Sequence, residues 1–127
     1  MDSAAVIVED DTGRVLLLLR GPSAPRGALQ WCLPSGFAQL GEDVVSAACR
    51  EAHEEAGLIV GTLIPVARTR SGGGILHVFC ALDWAGPVQL LDGEHVTHAW
   101  VPRTEAASWD VVGAQRAVLR GYASAVV

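Results

Sequence analysis

The 127-residue chain contains no lysine. Any anionic ligand must therefore be gripped by arginine, by backbone N–H groups or by a metal. Arginine itself is sparse: nine Lys+Arg stand against 14 Asp+Glu, and the net charge of -5 argues against a protein that binds a nucleic-acid polymer, which needs a basic face. Cysteine is scarce too. Cys32, Cys49 and Cys80 are odd in number, far apart and free of CxxC or Cys/His spacing, so they are expected to be reduced thiols in a cytoplasmic protein. Half the residues are apolar, yet no uninterrupted apolar run is long enough to span a bilayer. The opening "MDSAAVIVEDD" lacks a basic segment and reads as a mature N-terminus, not a signal peptide. No repeat, low-complexity tract or linker interrupts the chain, and residues 1–127 are expected to form one domain with a real core.

Short apolar runs punctuated by Gly and Pro organise what is present. "AAVIVE" (Ala4–Glu9) and "RVLLLLR" (Arg14–Arg20), joined by "DDTG", predict a hairpin. A Gly/Pro loop follows over Gly21–Gln30, then a brief strand at "WCLP" and a second loop at "SGFAQLG". Residues Asp43–Ala56 are good helix formers and Gly57 supplies a left-handed stop. Leu58–Arg70 and Ile75–Asp83 flank "SGGG", a second hairpin; "VQLL" and "THAWVP" read as further strands, and Val111–Ala125 as a closing amphipathic helix. Strands and helices mixed in this way imply a sheet with helices packed on it.

The most charged stretch is "CREAHEEAGL", Cys49–Leu58, where Glu51, Glu54 and Glu55 stand three and four residues apart. On a helix, Val45, Ala48, Cys49, Ala52 and Ala56 are assigned to one side, and Arg50, Glu51, Glu54 and Glu55 to the other. Such a face is either solvated, with an Arg50–Glu54 ion pair, or carries something positive, because like charges at these spacings repel. Its place in the last turn, where the helix dipole disfavours negative charge, favours the second reading. Clustered oxygen donors suit a hard divalent cation such as Mg²⁺.

Reading outward, Gly36 to Leu58 runs G-x5-E-x7-R-E-A-x-E-E-x-G-L. This resembles the signature of the Nudix hydrolases, G-x5-E-x7-R-E-U-x-E-E-x-G-U, where U is bulky and apolar. Seven fixed identities match (Gly36, Glu42, Arg50, Glu51, Glu54, Glu55 and Gly57). At about one in 15 per position, chance produces that on the order of once in 10⁸ windows. Ala52 departs, standing where a larger residue is usual. "WCLPSGF" is similar to the family's W-x-L-P-G-G, with Ser35 in place of the first glycine, and "EHVTHAWVP" (Glu94–Pro102) to its E-x5-W-V segment. The resemblance covers essentially the whole chain. It implies an α/β/α sandwich, a mixed sheet between the box helix and a C-terminal helix.

It also implies an activity: MutT-like, Mg²⁺-dependent hydrolysis of a nucleoside diphosphate linked to a moiety X, with Mn²⁺ as a possible substitute. A pyrophosphate is polyanionic and repels a nucleophile, so divalent ions that neutralise charge and acidify water suit the task. By resemblance, Glu51, Glu54, Glu55 and the Ser35 carbonyl form the metal shell, Arg50 orients a glutamate, and Glu94 is a further ligand or the general base. Glu42 is expected to anchor a loop. Arg20 and Arg26 are candidates for phosphate contacts. Phe37, Trp84 and Trp109 are candidates to stack a base, and Asp110 to read its edge. The four histidines (His53, His77, His95 and His98) are assigned structural or solvent-facing places. Partners are thus a small-molecule nucleotide, with no membrane, in a monomer or homodimer. The rival reading is a non-catalytic Nudix-fold module that binds a nucleotide and regulates a partner. Such modules lose box carboxylates, and this chain keeps every one. An EF-hand loop is absent. An isoprenoid diphosphate isomerase relative would need a longer chain and an active-site cysteine.

Overall fold

The computed structural model describes residues 1–124. Strand β1 (Ser3–Ile7) is central because it is apolar on both faces: Ala4 and Val6 join one buried cluster, Ala5 and Ile7 the other. It pairs antiparallel with β4 (Ser35–Phe37) and parallel with β7 (Gly74–Ala81), and β6 (Leu63–Ser71) completes a mixed four-stranded sheet in the order β4-β1-β7-β6. A second, antiparallel sheet places β2 (Arg14–Arg20) between β3 (Trp31–Cys32) and β9 (His95–Pro102). Strands β5 (Ile59–Val60) and β8 (Trp84–Ala85) form a small ribbon. Helix α1 (Val44–Ala56) packs on one buried cluster, and α2 (Gly113–Ser124) lays Val118 and Leu119 into the other. This is the α/β/α arrangement expected from the sequence. Among the described residues no helix is long and apolar enough to cross a membrane.

Several local expectations need correction. The β1–β2 turn does close, with Asp10 and Arg14 exchanging a backbone hydrogen bond of 2.9 Å and Leu16 N–H reaching Val8 O at 2.9 Å. Beyond that tip the two strands part into different sheets, since each needs partners the other cannot supply. "SGFAQLG" is not all loop: its first three residues are β4. "VQLL" forms no strand. Instead Gln89 N–H donates to Ala56 O at 2.8 Å, so this segment satisfies the end of α1 and buries apolar side chains against it. The long run from Leu58 breaks at Gly61, where a Cβ would collide with Asp83. The closing helix begins at Gly113, after Val111 bridges Trp31, and Ala125 lies outside the described residues.

Helix α1 starts where Asp43 accepts the Ser46 N–H at 2.8 Å and stops at Gly57, φ 71°, a left-handed position costly for other residues. Its core face is Ala47, Ala48, Ala52 and Ala56, small side chains that bring the helix close to β1. Val45, assigned to that face from the sequence, is exposed, and Ala47 takes its place. Ala52 is fully buried. Ala52→Leu is therefore expected to overpack and to cost about 1–3 kcal/mol, with little change in specific activity of the folded fraction. Denaturant melts would check this, and a stabilised variant would show spare room at the contact.

Candidate active site

Arg50, at the middle of α1, organises the carboxylates around it. Its Nε and Nη2 grip Glu42 at 2.8 and 2.9 Å, a fork-on-fork pair that also ties down the loop before the helix. Nη1 donates to Glu51 at 2.8 Å and to Glu54 at 3.1 Å, and Nη2 reaches the Phe37 carbonyl at 3.0 Å. Together with a backbone bond from Gln39, the guanidinium holds the Glu42 carboxyl down to about 2. Glu42 is thus an anchor, as the sequence suggests. Arg50 serves both readings offered for it: it pairs with Glu54 and also holds Glu51.

Glu55 departs from expectation. Its charge assigns it to the outer face with Glu51 and Glu54, but it lies four and seven residues beyond Glu51 and Ala48 and three beyond Ala52, and it is only 8% exposed. Burial, with help from nearby Glu51 and Asp92, pushes its carboxyl up to about 9. Ser35 N–H donates to its Oε1 at 2.8 Å, working in the opposite direction. Burial likewise raises Glu51, against the pull of Arg50. Gly36 is what admits Glu51: a Cβ there would overlap its carboxylate. Ser35 itself needs no left-handed backbone, since Leu29 (φ 61°) is the non-glycine residue with positive φ among the described residues. Serine in place of glycine is accordingly tolerated.

Two residues join Glu55 that the sequence reading did not select for the site. Ligand atoms of Glu55, Asp92 and His95 lie within 4.8 Å of one another. Asp92 opens a D-G turn, accepting the Glu94 N–H at 3.0 Å, and its other oxygen lies 2.9 Å from His95 Nδ1. On its far side the buried His95 ring lies 3.5 Å from Cys32 Sγ. The i,i+3 pairing of Asp92 with His95 was the available signal. Glu94 is exposed and its carboxylate stands outside this group, while its carbonyl accepts the Gly21 N–H at 2.9 Å.

A cavity of about 280 Å³ opens at β4; its lining includes Arg20, Arg26, Ser35, Gly36, Phe37 and Gln115 and none of the box glutamates. Arg20 Nη1 donates to the Arg26 carbonyl at 2.9 Å, a contact that Gly27 permits because any Cβ would strike the guanidinium. Arg26 hangs over the half-exposed Phe37 ring at 5.4 Å. Asp110 is exposed and touches the cavity wall indirectly, accepting from Gln30 Nε2 at 3.0 Å. Trp84 and Trp109 stack on protein instead: Trp84 against Trp100 at 5.6 Å, and Trp109 edge-on to Trp31 at 4.9 Å. His53 is exposed.

Known proteins share this fold. The human protein 8-oxo-dGDP phosphatase NUDT18 is 36% identical over 106 residues, covering 80% of this chain and 31% of that protein. The chain thus spans about a third of the length of the curated relative it matches. The solution structure of the E. coli ORF135 protein superposes with a TM-score of 0.80 at 26% identity, over 95% of this chain and 86% of that one. A MutT Nudix hydrolase from Burkholderia pseudomallei superposes at 0.79 with 23% identity, over 93% and 94% of the two chains, a likeness of fold. The NUDIX domain pattern matches residues 1–122, nearly the whole chain: the chain belongs to the Nudix family.

Proposed function

We propose that this chain, acting as one domain over residues 1–127, is a divalent-metal-dependent hydrolase of nucleotides. It would cleave the pyrophosphate linkage of a nucleoside diphosphate joined to a moiety X by attack of water on phosphorus. The observation that carries this reading is the double role of β4. One side of the strand touches the box residues: Ser35 N–H meets Glu55, Gly36 abuts Glu51, and the Phe37 carbonyl holds Arg50. The same three residues line the cavity. A nucleotide seated there would lie against the strand that holds the carboxylates.

The donors fit a hard cation. They are carboxylate oxygens on the C-terminal half of α1, with Glu51 seated in a space that a Cβ at position 36 would fill. Glu51, Glu54, Glu55 and the Ser35 carbonyl would hold Mg²⁺, or Mn²⁺ in its place, and Glu94 is the further ligand or the general base. When bound, the ion neutralises phosphate charge and makes water a better nucleophile. Arg50 fixes Glu51 and Glu54 by donating to one oxygen of each. Arg20 and Arg26, in a chain without lysine, bind phosphate oxygens. The half-exposed Phe37 ring in the cavity wall stacks the base, and Asp110 reads the base edge from the rim.

The test is a substrate panel on the purified protein with Mg²⁺ or Mn²⁺. Because the human relative carries the name 8-oxo-dGDP phosphatase, oxidised deoxyguanosine di- and triphosphates belong in the panel beside unmodified nucleotides, nucleotide sugars and dinucleoside polyphosphates. Release of phosphate, pyrophosphate or a nucleoside monophosphate that EDTA stops is expected. Tight nucleotide binding without turnover of any compound would instead favour the regulatory-module reading.

A further inference from the structure

Gln115 is a buried polar side chain at the cavity wall: it is 4% exposed, on the α2 face that also carries Val118 and Leu119. A buried amide is tolerated only when its groups are paired. Here every pairing goes to one tripeptide. Oε1 accepts the Leu33 N–H at 2.7 Å, and Nε2 donates to the Ser35 hydroxyl at 3.0 Å. That hydroxyl donates onward to the Leu33 carbonyl at 2.9 Å. Both ends of Leu33–Pro34–Ser35 are thereby clamped to α2, and Val6 N–H takes the Pro34 carbonyl at 3.0 Å. The peptide that emerges from this clamp points its N–H at Glu55 Oε1, 2.8 Å away, on the opposite helix.

We infer that the Ser35 hydroxyl and Gln115 act as one positioning unit for the cation-binding end of α1. They fix the Ser35 peptide so that its N–H claims one Glu55 oxygen and leaves the other to the cation that would bind there. The inference rests on the metal-dependent reading above. Neither side chain donates to the ion; both act through the Ser35 backbone. The unit spans the sheet, so α2 sets the geometry of carboxylates on α1. A glycine or alanine at position 35 would break it, leaving the Gln115 amide without its acceptor.

The test uses the full chain and Mn²⁺ as probe, with affinity read by electron paramagnetic resonance independently of turnover. Ser35→Ala and Gln115→Met should each weaken Mn²⁺ binding by about tenfold, the scale of lost partners behind a metal's ligands. The double variant should lose no more than the weaker single, because the two groups form one chain of bonds. Ser35→Thr, which keeps the hydroxyl, should bind nearly as wild type does. In EDTA, amide hydrogen exchange at Ser35 should quicken in Ser35→Ala and Gln115→Met, a readout that needs no metal. Variants that melt earlier but bind Mn²⁺ as tightly as wild type would overturn the inference, leaving Gln115 an ordinary core amide. So would additive losses in the double variant. If Gln115→Met fails to fold, Ser35→Ala decides alone, since it removes a single oxygen atom. A wild type that binds no Mn²⁺ would sink the metal-dependent reading and the inference with it, a result distinct from equal binding by all variants.

Discussion

Glu55→Gln is expected to lower hydrolysis by orders of magnitude while leaving the metal-free fold as stable as wild type or more so. The two effects come from one carboxyl. Burial, reinforced by Glu51 and Asp92, pushes Glu55 up to about 9, so near neutral pH the metal-free protein holds it as the neutral acid. Glutamine is close in shape to that acid and can still accept the Ser35 N–H through its own oxygen. It cannot offer a charged oxygen to a cation. The pH dependence follows by linkage. The folded pKa is raised above the ordinary value of 4.5, so this group's contribution to stability is fully present below that value. It is lost as pH rises toward about 9. Wild type in EDTA should therefore melt at progressively lower temperature across that window, and Glu55→Gln should lack this component of the decline. Mg²⁺ must displace the proton, so its stabilisation of wild type should grow with pH and vanish in the variant. A wild-type melting temperature that ignores both pH and Mg²⁺, with Glu55→Gln fully active, would mean that the glutamates are only a solvated face.

The box helix was legible because its signals are local. Asp43 begins it, Gly57 ends it in a left-handed conformation, and alanines recur along the face that meets β1. Glu42, Arg50 and Glu51 come together through the helix and the turn before it, so their spacing in the sequence carried their arrangement. Glu55 shows where such reading strains. Its spacing from Ala48 and Ala52 was a signal for the buried face, but its charge suggested the outside. What makes the burial bearable, the Ser35 N–H, arrives from twenty residues away on β4. That strand is three residues long, and its pairing with β1 is a tertiary event that no local pattern announces. Asp92 and His95 were hidden for the same reason: Asp92, in the loop before β9, and His95, the first residue of β9, reach Glu55 only once β9 has paired with β2. The apolar run Val88–Leu91 looked like a strand because apolarity alone cannot distinguish pairing with a sheet from covering a helix end.

Arg50→Ala should do more harm than the loss of an ordinary surface ion pair, which is worth about 0–1 kcal/mol. The guanidinium makes five hydrogen bonds, to Glu42, Glu51, Glu54 and the Phe37 carbonyl. It is 22% exposed and Glu51 12%, so part of the network is shielded from water, although Glu54 at 52% is not. Removing it leaves the largely buried Glu51 with neighbouring carboxylates and no cation. It also frees the loop that Glu42 ties to the helix. The expected loss in metal-free stability is on the order of 2 kcal/mol, from bonds to charged groups discounted for the solvent-facing edge. Activity should fall as well, because Glu51 and Glu54 lose the donor that orients them. Arg50→Lys keeps the charge but has no planar fork, so it can replace the bond to one carboxylate and not the span from Glu42 to Glu51. It should recover part of the stability and little of the activity. Saturating Mg²⁺ should narrow the stability gap between wild type and Arg50→Ala, because a bound ion supplies the positive charge that Glu51 has lost. Melting curves of the three proteins in EDTA and in excess Mg²⁺, with hydrolysis rates beside them, test this ordering. Arg50→Lys matching wild type in both would reduce Arg50 to a point charge and remove the orienting role assigned to its geometry.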